Sequence, residues 1–373
     1  MNILLIAPFT ANGGIASWAQ NFYKNYNDLN FQLFPIDSSS NRRKPTDTSI
    51  VKRVVYGLLD LLRLYKATKN TLKKGNYSLI HTTTSGHIGC FRDFVICRLA
   101  KKYNCKTILH CHYGCISYDL YNKKVIGFLT RIAFNACDQI WVLDKHSYNT
   151  LKQIPNYNRK VHLTPNPIDI KYEFDSKPKE YKTIAFLGNM IPTKGLFELI
   201  HAVNKCNIRL DIIGPGTDEV VERVKKLSED NLNKSIFIHG KVPNNEALAL
   251  LKNIDILALP TYYPFEAFPI SILEAMSLSK LVISTERAAI PDMLTAVDGS
   301  KCGILIKEKS IDDIVNAITY CQENPKEADK MCEKAYEKVK KAYSKDVVYK
   351  IYTNNYKVLF NTDICQYSRT KSC

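Results

Sequence analysis

The sequence predicts an α/β protein made of two doubly wound parallel sheets. Three observations carry this expectation. Short apolar segments alternate with helical patterns, glycine-containing turns join strands to the helices that follow, and the alternation runs twice with a polar stretch between the two runs. A chain of 373 residues has room for two domains of ordinary size, each with its own core.

Taken in order, residues 2–9 form an apolar strand. Thr10-Ala11-Asn12-Gly13-Gly14 is a turn, and a helix follows through Trp18, Phe22 and Tyr26. Further apolar strands fall at 77–81, 106–112, 139–143 and 160–164, separated by helical patterns such as 91–103 and 124–136. After Pro165-Asn166-Pro167-Ile168-Asp169 the chain turns polar over 171–182, with Pro178 and four lysines, and reads as a linker. The second run has strands at 183–188, 209–214, 235–239, 255–260, 280–285 and 303–306 with helices between. Residues 326–343 and 347–360 form two terminal helices. The expected domains are therefore 1–170 and 171–345, with 346–373 as a final helix and tail. Ligands of open parallel sheets bind beyond the carboxyl ends of the strands, so two such sheets are expected to face one another across a cleft.

Composition narrows the class. Hydrophobic residues at 45% and charged ones at 24% describe a globular protein. No apolar run approaches the roughly 20 residues needed to span a bilayer, and the first strand lacks a basic segment ahead of Pro8, so a cytoplasmic address is expected. Twelve cysteines without a C-x-x-C spacing read as reduced thiols rather than a disulfide framework. The net charge of +16 is uneven: residues 1–170 carry +14 and the remainder +2. Lys52, Arg53, Arg63, Lys66, Lys69, Lys73 and Lys74 interleave with Val54, Val55, Leu58, Leu59, Leu61, Leu62 and Leu64 on one helical stretch. This is a pattern for an anionic membrane surface, against which a solvated face of a lysine-rich protein stands as the plain reading. Nucleic acid is not expected, because no binding module accompanies the charge.

The chemistry concentrates in the second run. Glu266 and Glu274 stand eight residues apart around a helix start, with Pro269 as the first helical residue. Glu266 therefore lies in the loop and Glu274 about a turn and a half inside the helix. The backbone N–H groups of Ala267, Phe268 and Ile270, unpaired at such a start, are suited to an anion between the two carboxylates. This segment resembles the Glu-x7-Glu signature of retaining GT-B glycosyltransferases, in particular glycosyltransferase family 4. In that family the first Glu faces the donor sugar and the second binds the ribose, and the last helix crosses back onto the first domain.

The resemblance extends to other loops. Lys194, in Gly188-Asn189-Met190-Ile191-Pro192-Thr193-Lys194-Gly195, matches the family's diphosphate-binding lysine, but Asn189 stands where the family commonly has an Arg. Gly13 and Gly14 resemble its glycine loop near the donor phosphates. Gly214 begins a matching turn of the second domain, and the backbone of Lys241 and Val242 is expected to border the nucleotide base. His112 in His-Cys-His-Tyr-Gly matches a histidine beside the transferring sugar. Together His110, Cys111, His112 and Cys115 suggest zinc, but alternate residues of a strand face opposite sides, so four converging ligands are not expected there and no metal site is assigned. Asn166 and Asp169 look structural.

The expected activity is retaining, metal-independent hexosyl transfer from a UDP- or GDP-sugar, with no other cofactor, to a glycan or lipid-diphosphate-linked acceptor, as in bacterial capsule or O-antigen assembly. A UDP-sugar epimerase of similar fold and a noncatalytic nucleotide-sugar-binding protein are the alternatives.

Overall fold

A computed structural model describes residues 1–11, 13–40, 50–122 and 124–369, with side chains except at 50, 53, 230 and 361–369. Its contacts divide the chain into two units. Unit 1 is Met1–Pro165 together with the segment from Tyr349 onward, and unit 2 is Asn166–Val348.

Unit 1 runs β1 (Asn2–Ala7), α1 (Gly14–Asn25), β2 (Gln32–Asp37), α2 (Ile50–Lys74), β3 (Leu79–Thr84), α3 (Gly89–Lys102), β4 (Lys106–Cys111), α4 (Ile116–Asn122), α5 (Lys124–Ala136), β5 (Gln139–Val142), α6 (Lys145–Lys152) and β6 (Val161–Leu163). All six strands are parallel, in the order β2-β1-β3-β4-β5-β6. Ile3 to Ala7 are wholly buried, as expected of a strand covered by helices on both faces. The sequence reading missed β2 because it is a half-exposed edge strand containing Pro35, where a missing N–H costs little. It also ended the third strand too early: Thr82, Thr83 and Thr84 are polar yet buried at 1%, 2% and 1% exposure.

Unit 2 runs β7 (Thr183–Leu187), α7 (Leu196–Cys206), β8 (Arg209–Ile213), α8 (Asp218–Ser228), β9 (Ile236–Gly240), α9 (Asn244–Lys252), β10 (Ile256–Leu259), α10 (Ile270–Ser277), β11 (Leu281–Thr285), α11 (Ile290–Met293), β12 (Ile304–Ile306), α12 (Ile311–Glu323) and α13 (Pro325–Lys338). The long α14 (Lys345–Arg369) starts here and ends in unit 1. This sheet is also parallel, in the order β12-β11-β10-β7-β8-β9, so the strand order reverses between β7 and β10. Residues 171–182 contain neither helix nor strand. Gly188, Gly214 and Pro260, expected as the last residues of strands, are instead the first residues of the loops that leave them.

The centre of unit 1 is aromatic. Trp18 of α1 lies with its ring centroid 4.8 Å from His110 and 4.7 Å from His112, and its indole N–H donates to the Tyr352 hydroxyl of α14 at 3.2 Å. Trp141 stacks on Tyr356 at 5.3 Å, and Tyr356 is hydrogen-bonded to His81 Nδ1 at 2.7 Å. His81 Nε2 and His110 Nδ1 are hydrogen-bonded to each other at 3.2 Å. Burial disfavours the imidazolium form and lowers all three histidines, His81 and His112 to about 3.

The sign of the resulting pH dependence follows. A histidine whose folded pKa lies below its unfolded value contributes stability above pH 6.5, and that stability drains away as pH falls towards 3. Each group contributes a slope of about 1.4 kcal/mol per pH unit. Urea unfolding of the protein between pH 6.5 and 5 should therefore show uptake of more than one proton; a slope below one proton would contradict a dry, neutral triad.

Candidate active site

The strand order of unit 2 reverses between β7 and β10, and the carboxyl ends of the strands at such a reversal are the usual ligand position in doubly wound sheets. The loops leaving these two neighbouring strands carry Lys194 and Glu266, and the structure brings them together: Lys194 Nζ lies 3.1 Å from Glu266 Oε2, with side chains only 16% and 8% exposed. Neither is the solvated surface charge that a bland reading of the sequence allows.

Local covalent geometry builds this pair. Pro192–Lys194 forms a single 3-10 turn closed by Gly195 in the left-handed region at φ 76°. A Cβ on Gly195 would sit 2.1 Å from the Pro260 carbonyl oxygen, so glycine is required both for the backbone angle and for the contact. Tyr262 N–H donates to Thr193 O at 2.8 Å, which ties the lysine loop to the glutamate loop. The Thr261 hydroxyl donates to Glu266 Oε2 at 3.2 Å, and Thr261 is itself held by a 2.5 Å hydrogen bond from the Thr285 hydroxyl to its carbonyl. The ammonium of Lys194 also stands 5.7 Å from the Tyr263 ring centroid.

Glu274 is held separately, on the buried side of α10. The Asn244 amide, at the start of α9, donates to its Oε1 at 2.8 Å. Burial pushes the Glu274 carboxyl up to about 7, against the opposing pull of Asn244 and of the Lys171 charge. Pro269 is the N-cap rather than the first helical residue, a shift of one position that leaves Glu266 in the loop and Glu274 in the helix. No described residue accepts a hydrogen bond from the N–H groups of Ala267, Phe268 or Ile270, and the first two residues are buried. Asn166 donates to Phe268 O at 3.1 Å, so it props the loop, and Asp169 pairs with Lys345 at 2.8 Å.

The other expected residues fall into two groups. In unit 2, Gly214 packs so tightly that an added Cβ would stand 2.1 Å from the Gly188 carbonyl oxygen, locking the turns that follow β7 and β8 together. Asn189 follows Gly188 in the first of these turns, its carbonyl accepting from Ile191 N–H at 2.8 Å. Exposed Lys241 and half-buried Val242 form the turn that leads to Asn244. In unit 1, Gly13 adopts φ 120° and Gly14 begins α1, with no atom within 4 Å of an added Cβ at either position. His112, directly after β4, has a buried Nε2 without a partner and a ring 4.2 Å from that of His110. Cys111 points the opposite way, among Cys90, Cys97 and Ile140, so these three residues do not converge. Sequence reasoning missed Asn244, Thr261 and Tyr263. Thr261 and Tyr263 sit inside the quoted motif, whereas no spacing signal links Asn244 to a carboxylate 30 residues away.

Two doubly wound parallel sheets, one with an acid–lysine pair at its switch point, define an α/β architecture that known proteins share. Residues 169–338 match the family "Glycosyl transferases group 1". It is 24% identical over 312 residues to an uncharacterized glycosyltransferase of Methanocaldococcus jannaschii, covering 82% of this chain and 84% of that one. A poly(ribitol-phosphate) α-N-acetylglucosaminyltransferase of Staphylococcus aureus is 26% identical over 194 residues, covering 50% of this chain and 37% of the other. The crystal structure of Anabaena HepE in complex with UDP-glucose superimposes with a TM-score of 0.72 at 15% identity, covering 97% of this chain and 100% of that one. The fold is the GT-B fold.

The raised Glu274 carboxyl gives a stability test. Because its folded pKa lies above the unfolded one, the neutral form is favoured in the fold, and stability is lost as pH rises from 4.5 through 7. Glu274→Gln should raise the melting temperature at pH 8 and leave it nearly unchanged at pH 4.5. An equal shift at both values would show that the carboxyl is already solvated.

Proposed function

We propose that the chain is a retaining, metal-independent glycosyltransferase of family 4 that moves a hexosyl group from a nucleoside diphosphate sugar to a glycan or lipid-diphosphate-linked acceptor in surface polysaccharide assembly. The buried Lys194–Glu266 pair at the β7/β10 switch point is the observation that most supports this reading. A carboxylate and an ammonium 3.1 Å apart offer both groups the reaction needs: an acceptor for sugar hydroxyls and a cation for the departing diphosphate.

In this mechanism the bond between the anomeric carbon and the diphosphate oxygen breaks as the acceptor oxygen approaches the same face. The acceptor proton passes to the leaving phosphate. Lys194 and the N–H groups of Ala267, Phe268 and Ile270 stabilise the negative charge that builds on the diphosphate, and Glu266 orients the hexose. Glu274 and Asn244 hold the ribose hydroxyls. The ionised Glu274 carboxylate accepts from those hydroxyls more strongly than the neutral acid, so donor affinity rises from pH 6 to pH 8. The Lys241–Val242 turn borders the base. In unit 1, His112 is neutral through burial and its Nε2 has no partner among the described residues.

The acceptor side is read from α2. Val51, Val54, Val55, Leu58 and Leu62 are exposed at 72%, 56%, 46%, 53% and 54%, and Lys66, Lys73 and Lys74 of the same helix are exposed as well. Leu64, Thr68 and Leu72 anchor the helix to the core of unit 1. An apolar strip flanked by lysines suits the anionic leaflet at the inner face of a plasma membrane. Arg63, counted in the sequence among the available cations, is instead tied to the carbonyls of Asp37 and Ser39 at 3.2 and 2.6 Å. Among the described residues no helix is long and apolar enough to cross a membrane.

Lys194→Ala should lower kcat at least tenfold and weaken donor binding. It should also lower thermal stability, because Glu266 is left buried without its cation. Glu266→Gln should lower kcat at least tenfold and also lower the melting temperature, because the Lys194 ammonium then lacks its carboxylate. Wild-type turnover in Glu266→Gln would remove its role. Neutralising Lys66, Lys69, Lys73 and Lys74 to Gln should weaken co-sedimentation with anionic vesicles at low salt at least tenfold, given about 1 kcal/mol for each basic residue near the surface. Unchanged sedimentation would sink the membrane reading.

A further inference from the structure

Outside the carboxylate–lysine site, one cluster in unit 1 has the chemistry of a metal centre. His87 Nε2 lies 3.6 Å from Asp119 Oδ2, Cys115 Sγ lies 3.7 Å from His87 Nε2, and Cys115 Sγ lies 3.8 Å from Asp119 Oδ2. The three atoms form a nearly equilateral triangle. With bonds of about 2.0–2.3 Å, three ligands of a tetrahedral zinc ion stand roughly 3.3–3.6 Å apart. The nitrogen–oxygen separation is too long for a hydrogen bond but suits two ligands of one cation.

The chain places these groups deliberately. Cys115 and Asp119 are one helical turn apart, with Asp119 N–H donating to Cys115 O at 2.9 Å, so their side chains share a face at the start of α4. His87 is delivered from the β3–α3 turn in a left-handed conformation, φ 56°, which costs a non-glycine residue about 1 kcal/mol or more. The preceding Gly86 is pressed against the Tyr113 ring, 2.5 Å from where a Cβ would be, which fixes the turn that carries His87. Asp119 is wholly buried, while Cys115 is half-buried and the His87 side chain is 24% exposed, so the site is reachable from solvent.

We infer that His87, Cys115 and Asp119 bind a zinc-class divalent cation. Thiolate, carboxylate and neutral imidazole together balance its two charges, and the sulfur ligand selects zinc-like ions over magnesium or calcium. The ion would clip the β3–α3 turn to the start of α4, with Cys115 three residues beyond His112. It revises the metal-free assignment for unit 1 alone; the proposed transfer chemistry in unit 2 does not use it, and the inference stands without that chemistry.

The test uses the full chain, stripped with chelator and dialysed, then titrated with Zn²⁺ by calorimetry and with Co²⁺ by absorbance. Wild type should bind one equivalent of each, show the thiolate-to-cobalt charge-transfer band with tetrahedral ligand-field bands, and melt at a higher temperature with Zn²⁺. Cys115→Ser should lose the charge-transfer band, and His87→Ala should bind Zn²⁺ at least about tenfold more weakly; Cys206→Ser should behave as wild type. Should Cys115→Ser fail to fold, His87→Ala on the exposed rim decides the matter alone. Absence of stoichiometric binding by wild type, persistence of the cobalt band in Cys115→Ser, or unchanged zinc affinity in His87→Ala overturns the proposal.

Discussion

The seam between the lysine loop and the glutamate loop governs unit 2. Gly195 lies against the Pro260 carbonyl, Thr193 accepts from Tyr262, and the ion pair closes above them. Burying two charges costs several kcal/mol of desolvation for each, which their attraction offsets only when geometry is tight and further hydrogen bonds help. Thr261 supplies one such bond to the carboxylate. A pair held this way is poorly justified as a source of stability.

The parallel topology was legible because buried strands leave continuous apolar runs. That signal located the strands of unit 2 to within a residue or so and placed the Lys194 and Glu266 loops after β7 and β10. It failed where burial and polarity part company: β2 is an edge strand interrupted by Pro35, and Thr82–Thr84 are polar residues inside the sheet. Residues meeting across long stretches of sequence were beyond any spacing rule. His87 reaches Cys115 because β3 and β4 lie side by side, whereas Asn244 meets Glu274 although β9 and β10 are not neighbours in the sheet.

The two units handle buried polarity in opposite ways. Unit 1 buries three neutral histidines among Trp18, Trp141, Tyr352 and Tyr356, where His81 bonds the Tyr356 hydroxyl and His110 while the Nε2 atoms of His110 and His112 have no partner among the described residues. Unit 2 buries full charges, and a carboxyl pushed up to about 7, at the ends of its strands. The uneven distribution of charge along the sequence adds to the contrast, since residues 1–170 contain no glutamate at all.

Gly195 and Gly214 each press an α-hydrogen where no larger group fits, against Pro260 and Gly188 respectively. The main chain around the acid–lysine pair thus has no slack at two points. Variation that retunes which ligand is chosen must then come from the side chains around this rigid frame, with Tyr263, Asn244 and Asn189 the open positions, rather than from reshaping the loops themselves.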